Sequence, residues 1–161
     1  MTSEPLRFQR DYEFGLVIVW DALVDSDLVS GWLAEAFITP VVGGEYNLRW
    51  THRPTQPETF GRITALAPRT RLHIDSSNAG RLEFALDEIE GGPRGTSTRL
   101  SLAVDYDDDA LSAMRLTADW LSSLDQLDGL LRGHPVDWSS WERDHREAWL
   151  GYFDALPGST A

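Results

Sequence analysis

The chain has 161 residues and a net charge of −12, from 26 acidic residues against 14 basic residues that are all arginine. This length fits one domain that folds without a covalent cross-link, and the absence of cysteine excludes disulfides, thiol nucleophiles and zinc–thiolate sites. The acidic balance disfavours nucleic acid as a partner, because like charges repel.

We expect no export signal in the N-terminal part of the chain. Residues 1–14 lack an apolar segment behind a basic start, and the longest apolar run, residues 15–20, is far too short to span a bilayer. We therefore expect a cytoplasmic protein with no membrane span. The lack of cysteine agrees with a reducing compartment.

The first elements in chain order are a strand and two ambiguous segments. Residues 5–14 alternate loosely and predict a strand, and the β-branched run at 16–19 has strand propensity as well. Asp25 or Ser26 can cap a short helix that reaches Trp32, with Leu28 and Trp32 four residues apart on one face.

Between Gly43 and Asp105 the hydrophobic period is two, which predicts an antiparallel meander with one apolar face. Turn sequences at 77–80 and 91–95 separate the predicted strands. The inward positions alternate with polar or charged residues, and they include Tyr46, Leu48, Trp50, Leu72, Ile74, Leu82, Phe84, Leu86, Leu100, Leu102 and Val104.

One long amphipathic helix is predicted from Ala110 to Leu131, which covers the apolar face of the sheet. Gly133 is its expected C-cap, and Pro135 follows. The apolar stripe repeats at spacings of three and four and consists of Ala113, Leu116, Trp120, Leu124, Leu127 and Leu131. Asp119, Ser122, Asp125 and Gln126 fall outside that stripe.

Residues 133–161, here named the C-terminal extension, contain a second aromatic helix. Ser139-x-x-Glu142 has the pattern of a capping box at its start. Trp138, Trp141, Trp149 and Tyr152 share one face of this helix. That face packs either on the parent domain or on a second subunit, and the second alternative would give a homodimer through these four residues.

No motif in the chain indicates a metal, a cofactor or a catalytic group. The 4 histidines include no pair at a zinc-binding spacing, and Asp107-Asp108-Asp109 suits the start of the long helix better than a cation cage. Gly43-Gly44 opens a strand and lacks the rest of a phosphate loop. We therefore predict no metal site, no cofactor and no catalytic residue.

A series of short segments, taken in order, resembles the START-like, or SRPBCC, superfamily in the branch similar to the activator of the heat-shock-protein-90 ATPase. The segments are 20–25, 31–33, 42–50, 61–63, 68–72, 95–100, 118–121 and 124–127. The resemblance covers about residues 7–132.

The resemblance implies a helix-grip fold of the α+β class. In this fold a curved antiparallel sheet of about six strands wraps a long C-terminal helix, and two short helices follow the first strand. It implies a helix near 15–23, against the strand propensity of 16–19. The whole of 1–161 is then one domain, with a core at 7–132 and the C-terminal extension at 133–161.

Relatives in this superfamily hold apolar ligands between the sheet and the long helix, and such sites are mostly apolar with a few polar groups. The resemblance therefore implies a ligand site built from Trp32, Phe37, Tyr46, Trp50, Phe60, Phe84, Trp120, Leu124 and Leu127. Polar specificity is expected from strand ends or loops, with His52, Arg53 and Tyr46 as candidates.

The expected function is non-catalytic binding of a small apolar or aromatic molecule. Two alternatives stay open, since a fold does not determine a function. One is a cyclase-, aromatase- or hydrolase-like enzyme acting on a polyketide-type substrate. The other is a protein-interaction domain similar to the co-chaperone.

Overall fold

The computed structural model of the chain describes residues 4–51, 58–106 and 110–156, and it describes the side chains of this set except those of 110–112. The strands are β1 Leu6–Tyr12, β2 Glu35–Ile38, β3 Tyr46–Arg49, β4 Glu58–Thr59, β5 Gly61–Ala67, β6 Arg71–Ser76, β7 Arg81–Glu90 and β8 Thr96–Asp105. The helices are α1 Leu16–Val24, α2 Ser26–Val29, α3 Ala110–Leu131, α4 Trp141–Asp144 and α5 Arg146–Ala155.

The strands form two antiparallel sheets that meet at β5. The larger sheet has the order β1-β8-β7-β6-β5 and the smaller one has the order β2-β3-β4. Backbone bonds join the hairpin between β2 and β3 to β5, from the Gly43 N–H to the Ile63 carbonyl and from the Ile63 N–H to the Gly44 carbonyl. These bonds attach the smaller sheet to the β5 edge of the larger one.

The alternation along the central strands directs one side chain in two into the core. In the β7–β8 register Leu82, Phe84 and Leu86 stand opposite Val104, Leu102 and Leu100, and all of them are buried. This confirms the predicted meander. The main sheet has five strands, and the short strands β2, β3 and β4 extend it.

Helix α3 crosses the concave face of the sheet with the predicted bounds. Trp120, Leu124 and Leu127 are buried against the strands, and Leu116 and Leu131 are partly buried beside them. Gly133 ends the helix with a φ of 90°, a left-handed conformation that glycine adopts without strain. The His134 N–H then donates to the Gly129 carbonyl, which closes the last turn.

Helix α1 forms where local propensity favours a strand. Val19, Trp20, Ala22 and Leu23 are buried on one side of it, so tertiary packing overrides the β-branched preference of this segment. Helix α2 begins at the N-cap Asp25, whose carboxylate accepts from the N–H groups of Asp27 and Leu28. It ends at Val29, earlier than predicted.

Helix α2 also covers the outer edge of β2. The Ser26 hydroxyl accepts from the Ile38 N–H at 2.9 Å, and the Ser30 hydroxyl accepts from the Ala36 N–H at 3.0 Å. These two side chains take the place of a neighbouring strand. They satisfy edge N–H groups that could otherwise pair with another chain.

The C-terminal extension is not one helix. Asp137 caps a 3-10 turn at Trp138–Ser140, and helices α4 and α5 follow with a break at His145. The predicted capping box at Ser139 is wrong, because the Ser139 hydroxyl donates to the Asp137 carboxylate at 2.6 Å. The carboxylate two residues earlier takes the capping role instead.

Candidate functional site

The interior between the sheet and α3 is one apolar cluster. It unites seven of the nine side chains predicted for a ligand site, each at most 3% exposed: Trp32, Tyr46, Trp50, Phe84, Trp120, Leu124 and Leu127. Across the gap between sheet and helix, the Phe84 and Trp120 rings meet edge to face with 6.1 Å between their centroids. Aromatic rings and leucine side chains thus pack together in one buried cluster.

The structure puts Phe37 and Phe60 elsewhere. Their side chains are 57% and 62% exposed, Phe37 in β2 and Phe60 between β4 and β5. Phe37 stands opposite Asn47, whereas its neighbour Ala36 stands opposite the buried Leu48. The expectation that both face the interior is therefore corrected, by the strand register for Phe37 and by its exposure for Phe60. His52 and Arg53 lie outside the described residues.

Two interior aromatic residues donate hydrogen bonds to the C-terminal end of α1. The Trp32 Nε1–H donates to the Ala22 carbonyl at 2.7 Å, and the Tyr46 hydroxyl donates to the Leu23 carbonyl at 2.7 Å. These carbonyls lie in the last turn of α1, where backbone acceptors lack a helical partner. Tyr46 was expected to supply polar specificity, but its hydroxyl is bound within the protein.

A third interior aromatic residue, Trp50, begins a chain of hydrogen bonds. Its Nε1–H donates to the Thr59 hydroxyl at 2.7 Å, and that hydroxyl donates to the Asn78 amide oxygen at 2.5 Å. The Asn78 amide nitrogen donates in turn to the Glu58 carbonyl at 2.8 Å. This series of hydrogen bonds orients Trp50, and it engages the hydroxyl hydrogen of the buried Thr59.

The described interior holds no buried charge. Among the residues that the structure describes, the buried polar side chains other than tyrosine are Thr59, Ser97, Thr98, Ser122, Ser123 and Gln126. None of the six is a carboxylate, an imidazole or a guanidinium. A charged guest would lose its hydration without gaining an opposite charge, so the described interior suits a neutral molecule.

The polar face of α3, which lies outside its apolar stripe, receives the C-terminal extension. The Trp149 Nε1–H donates to an Asp119 carboxylate oxygen at 2.7 Å, and the Trp141 Nε1–H donates to the Gln126 amide oxygen at 2.9 Å. Tyr152 donates to Asp125, which also pairs with Arg10 of β1. These bonds favour packing on the parent domain, the first of the two alternatives for this aromatic face.

Gln126 is the residue near the site that sequence reasoning missed. It was placed outside the apolar stripe of α3, yet it is only 5% exposed, and Trp141 of α4 binds it. A signal was present in the sequence: Asp119, Ser122 and Gln126 repeat at helical spacing, and Trp138 and Trp141, three residues apart, follow later in the chain. Acceptors outside the apolar stripe of α3 and indole N–H donors in the extension together indicate a contact between α3 and the extension.

An open cleft of about 730 Å³ lies outside this interior. Thr51, which follows β3, forms one side, and residues 138–143 of the C-terminal extension form the other.

In the described ranges 4–51, 58–106 and 110–156, no helix is both long enough and apolar enough to cross a membrane.

Comparison with known proteins identifies one family and several solved structures with the same fold. The family model described as activator of Hsp90 ATPase homolog 1-like protein matches residues 17–132. No protein of curated function matches the chain.

Several solved structures share the fold. A protein of Rhodobacter sphaeroides superimposes with a TM-score of 0.68 at 24% identity, covering 83% of this chain and 97% of its own. A protein of Bordetella parapertussis gives 0.66 at 21% identity, with 97% and 88% covered. DynU16, from the dynemicin biosynthetic locus, gives 0.63 at 17% identity, with 83% of this chain and 49% of its own covered.

Proposed function

The chain belongs to the family of activator of Hsp90 ATPase homolog 1-like proteins, and from that premise we propose that it binds a small neutral apolar or aromatic molecule without transforming it. The ligand lies between the curved sheet and α3, against Trp32, Trp50, Phe84 and Trp120. Residues 1–161 act in this role as one domain.

The observation that carries the proposal is the chemistry of the described interior. Its aromatic faces are apolar, while the N–H and O–H groups of Trp32, Tyr46 and Trp50 are already bonded to protein acceptors. A ligand there gains dispersion and hydrophobic burial, which favour aromatic and aliphatic groups. It meets no carboxylate or imidazole among the described buried residues.

An enzymatic role on a polyketide-type substrate is the second candidate. It draws on the shared fold with DynU16, a protein of the dynemicin biosynthetic locus. Cyclase or hydrolase chemistry requires a positioned acid–base pair within hydrogen-bonding reach of the substrate. The hydroxyl and indole groups of the described interior are already bonded to protein acceptors and do not form such a pair. We therefore prefer the binding role to the enzymatic one.

A protein-interaction role is the third candidate, and the exposed Phe37 and Phe60 favour it. Together with Val41 and Val42 they place several large apolar side chains at the smaller sheet. Exposed apolar patches often mark interaction sites. A purified heat-shock protein 90 that failed to bind the chain in a sedimentation assay would remove this candidate.

Native mass spectrometry beside denaturing spectra of the same sample tests the binding proposal first. We expect an additional mass of a few hundred daltons that is lost on denaturation, and a monomeric protein. The monomer follows from the bonds that Trp138, Trp141, Trp149 and Tyr152 make within the chain.

A titration with the neutral fluorescent probe 1-N-phenylnaphthylamine provides the second test. Trp120→Phe changes an interior wall and should weaken probe binding several-fold, whereas Phe60→Leu changes an outward residue and should leave it unaltered. Melting temperatures of both variants control for loss of fold. An apo mass together with no saturable probe binding would contradict the proposal.

A further inference from the structure

We propose that the C-terminal extension fixes the backbone position of Trp32 and thereby sets the affinity of the interior for its ligand. The ligand part of this inference rests on the proposed function, whereas the positioning of Trp32 stands on contacts alone. The family model ends at residue 132, before Val136, Trp138 and Trp141 of the extension.

Three consecutive backbone carbonyls after α2 are bound, the first two by the C-terminal extension and the third by Gln126 of α3. The Ser30 carbonyl accepts from the Trp138 Nε1–H at 2.7 Å, and the Gly31 carbonyl accepts from the Val136 N–H at 2.8 Å. The Trp32 carbonyl accepts from the Gln126 amide nitrogen at 2.7 Å. The turn that presents Trp32 to the interior is therefore held at three successive residues.

Gln126 transmits the position of the C-terminal extension to Trp32. While its amide nitrogen holds the Trp32 carbonyl, its amide oxygen accepts from the Trp141 Nε1–H at 2.9 Å. Both ends of this buried amide are thus engaged. Removing either partner leaves a buried polar atom unsatisfied, which favours rearrangement of the turn.

Gly31 permits the close approach on which this arrangement depends. A Cβ atom at this position would lie 2.7 Å from Leu130 Cδ1 and 3.2 Å from Pro135 Cβ. The missing side chain lets the end of α3 and the start of the C-terminal extension lie directly against the turn. The turn and the extension thus fit each other sterically as well as through hydrogen bonds.

The side chain of Trp32 is fixed independently of the C-terminal extension. It is fully buried, and its indole N–H is bound to the Ala22 carbonyl of α1. Its remaining freedom is a shift of the backbone, which the three carbonyl bonds oppose. A shift of this backbone would move the Trp32 indole within the buried cluster to which Trp120 and Leu127 also belong, and change the packing there.

Two variants and a matched control test the inference in the full chain. Trp138→Phe removes the bond to Ser30, and Gln126→Leu removes the bond to Trp32. Trp149→Phe is the control, because it removes the bond between the same extension and Asp119 but touches none of the three carbonyls. Hydrogen exchange and 1-N-phenylnaphthylamine binding are measured for each protein at a temperature well below melting.

The exchange arm follows the Trp32 and Leu33 amides, which both donate to the Val29 carbonyl. We expect faster exchange of these amides and about fivefold weaker probe binding in Trp138→Phe and Gln126→Leu, the effect of one net hydrogen bond. Trp149→Phe should match the wild type in both respects.

Unchanged exchange in both variants would overturn the positioning role. Faster exchange with unaltered probe affinity would overturn the coupling to the interior. A wild-type protein that binds no probe would overturn the proposed function and the coupling with it, while the exchange rates would still decide whether the C-terminal extension holds Trp32.

Discussion

Tyr12 and Tyr46 keep their phenolic hydroxyls inside the protein. The Tyr12 hydroxyl donates to the Leu124 carbonyl at 2.9 Å and that of Tyr46 donates to the Leu23 carbonyl, so these tyrosines join strands to α3 and α1. Desolvation by burial raises the pKa of each phenol well above its ordinary value of 10.0. The neutral form is therefore favoured in the folded state.

This difference predicts a loss of stability in alkali. Below pH 10.0 both states keep the phenolic protons; above it the unfolded chain releases them while the folded protein retains them. The free energy of unfolding should then fall with rising pH by about 1.4 kcal/mol per pH unit for each tyrosine. Urea unfolding curves at several pH values measure the slope.

The matched variants are Tyr12→Phe and Tyr46→Phe. Each should be less stable than the wild type at neutral pH, because one carbonyl loses its donor, but each should show a shallower decline above pH 10.0. An alkaline slope that persists undiminished in the double variant would assign it to other groups.

At the scale of elements, periodicity predicted α3 and the meander well, since their buried positions repeat over many residues. Helix α1 was different: residues 16–19 have strand propensity, and only the family resemblance indicated a helix. The C-terminal extension was predicted as one helix because sequence alone does not reveal that the Asp137 carboxylate engages Ser139.

The candidate site was predictable in part for a similar reason. Long strands such as β7 show their inward face by alternation, so Phe84 was assigned to the interior. Strands β2 and β4 are too short for that, and their register depends on the connections beside them. Phe37 and Phe60 entered the predicted site through the family resemblance, without an alternation that showed their direction, and both are exposed.

The surroundings of two glycines, one at the junction of the two sheets and one in α5, predict opposite effects of a Gly→Ala substitution. At Gly61, which begins β5, a Cβ would lie 2.4 Å from the Tyr46 carbonyl oxygen, so Gly61→Ala should lower the free energy of unfolding by about 2–3 kcal/mol. Gly151 lies within α5 with open space around it, so Gly151→Ala should raise stability by roughly 0.5–1 kcal/mol.

Chemical denaturation of the two glycine variants beside the wild type measures both effects. Both variants add the same methyl group, so opposite signs of the change in unfolding free energy would reflect the different surroundings of the two glycines. Equal effects at the two positions would contradict the close approach of β5 to the smaller sheet.

At the scale of the whole molecule, the net charge of −12 predicts a dependence on salt. The described ion pairs, such as Arg81–Asp75 and Arg99–Asp11, are solvent-exposed and contribute little each. Repulsion among the excess carboxylates should therefore dominate. Raising sodium chloride from about 0.01 M to about 0.15 M should increase the free energy of unfolding by on the order of 1 kcal/mol.

Thermal unfolding at several sodium chloride concentrations measures this dependence, with melting expected at higher temperature as screening increases. A fall in melting temperature over the same range would mean that attractive pairs outweigh the repulsion. The binding of a neutral probe should be nearly independent of salt, which separates the charge of the surface from the chemistry of the interior.

The contacts of the C-terminal extension also bear on how the protein is made. Translation runs from the N-terminus, so residues 136–156 leave the ribosome after every strand and α3. Until then the Ser30 and Gly31 carbonyls and the polar side of α3 lack the donors that later bind them. Domains commonly fold as they are synthesised. We therefore expect the Trp32 turn to reach its final shape only after the extension has emerged.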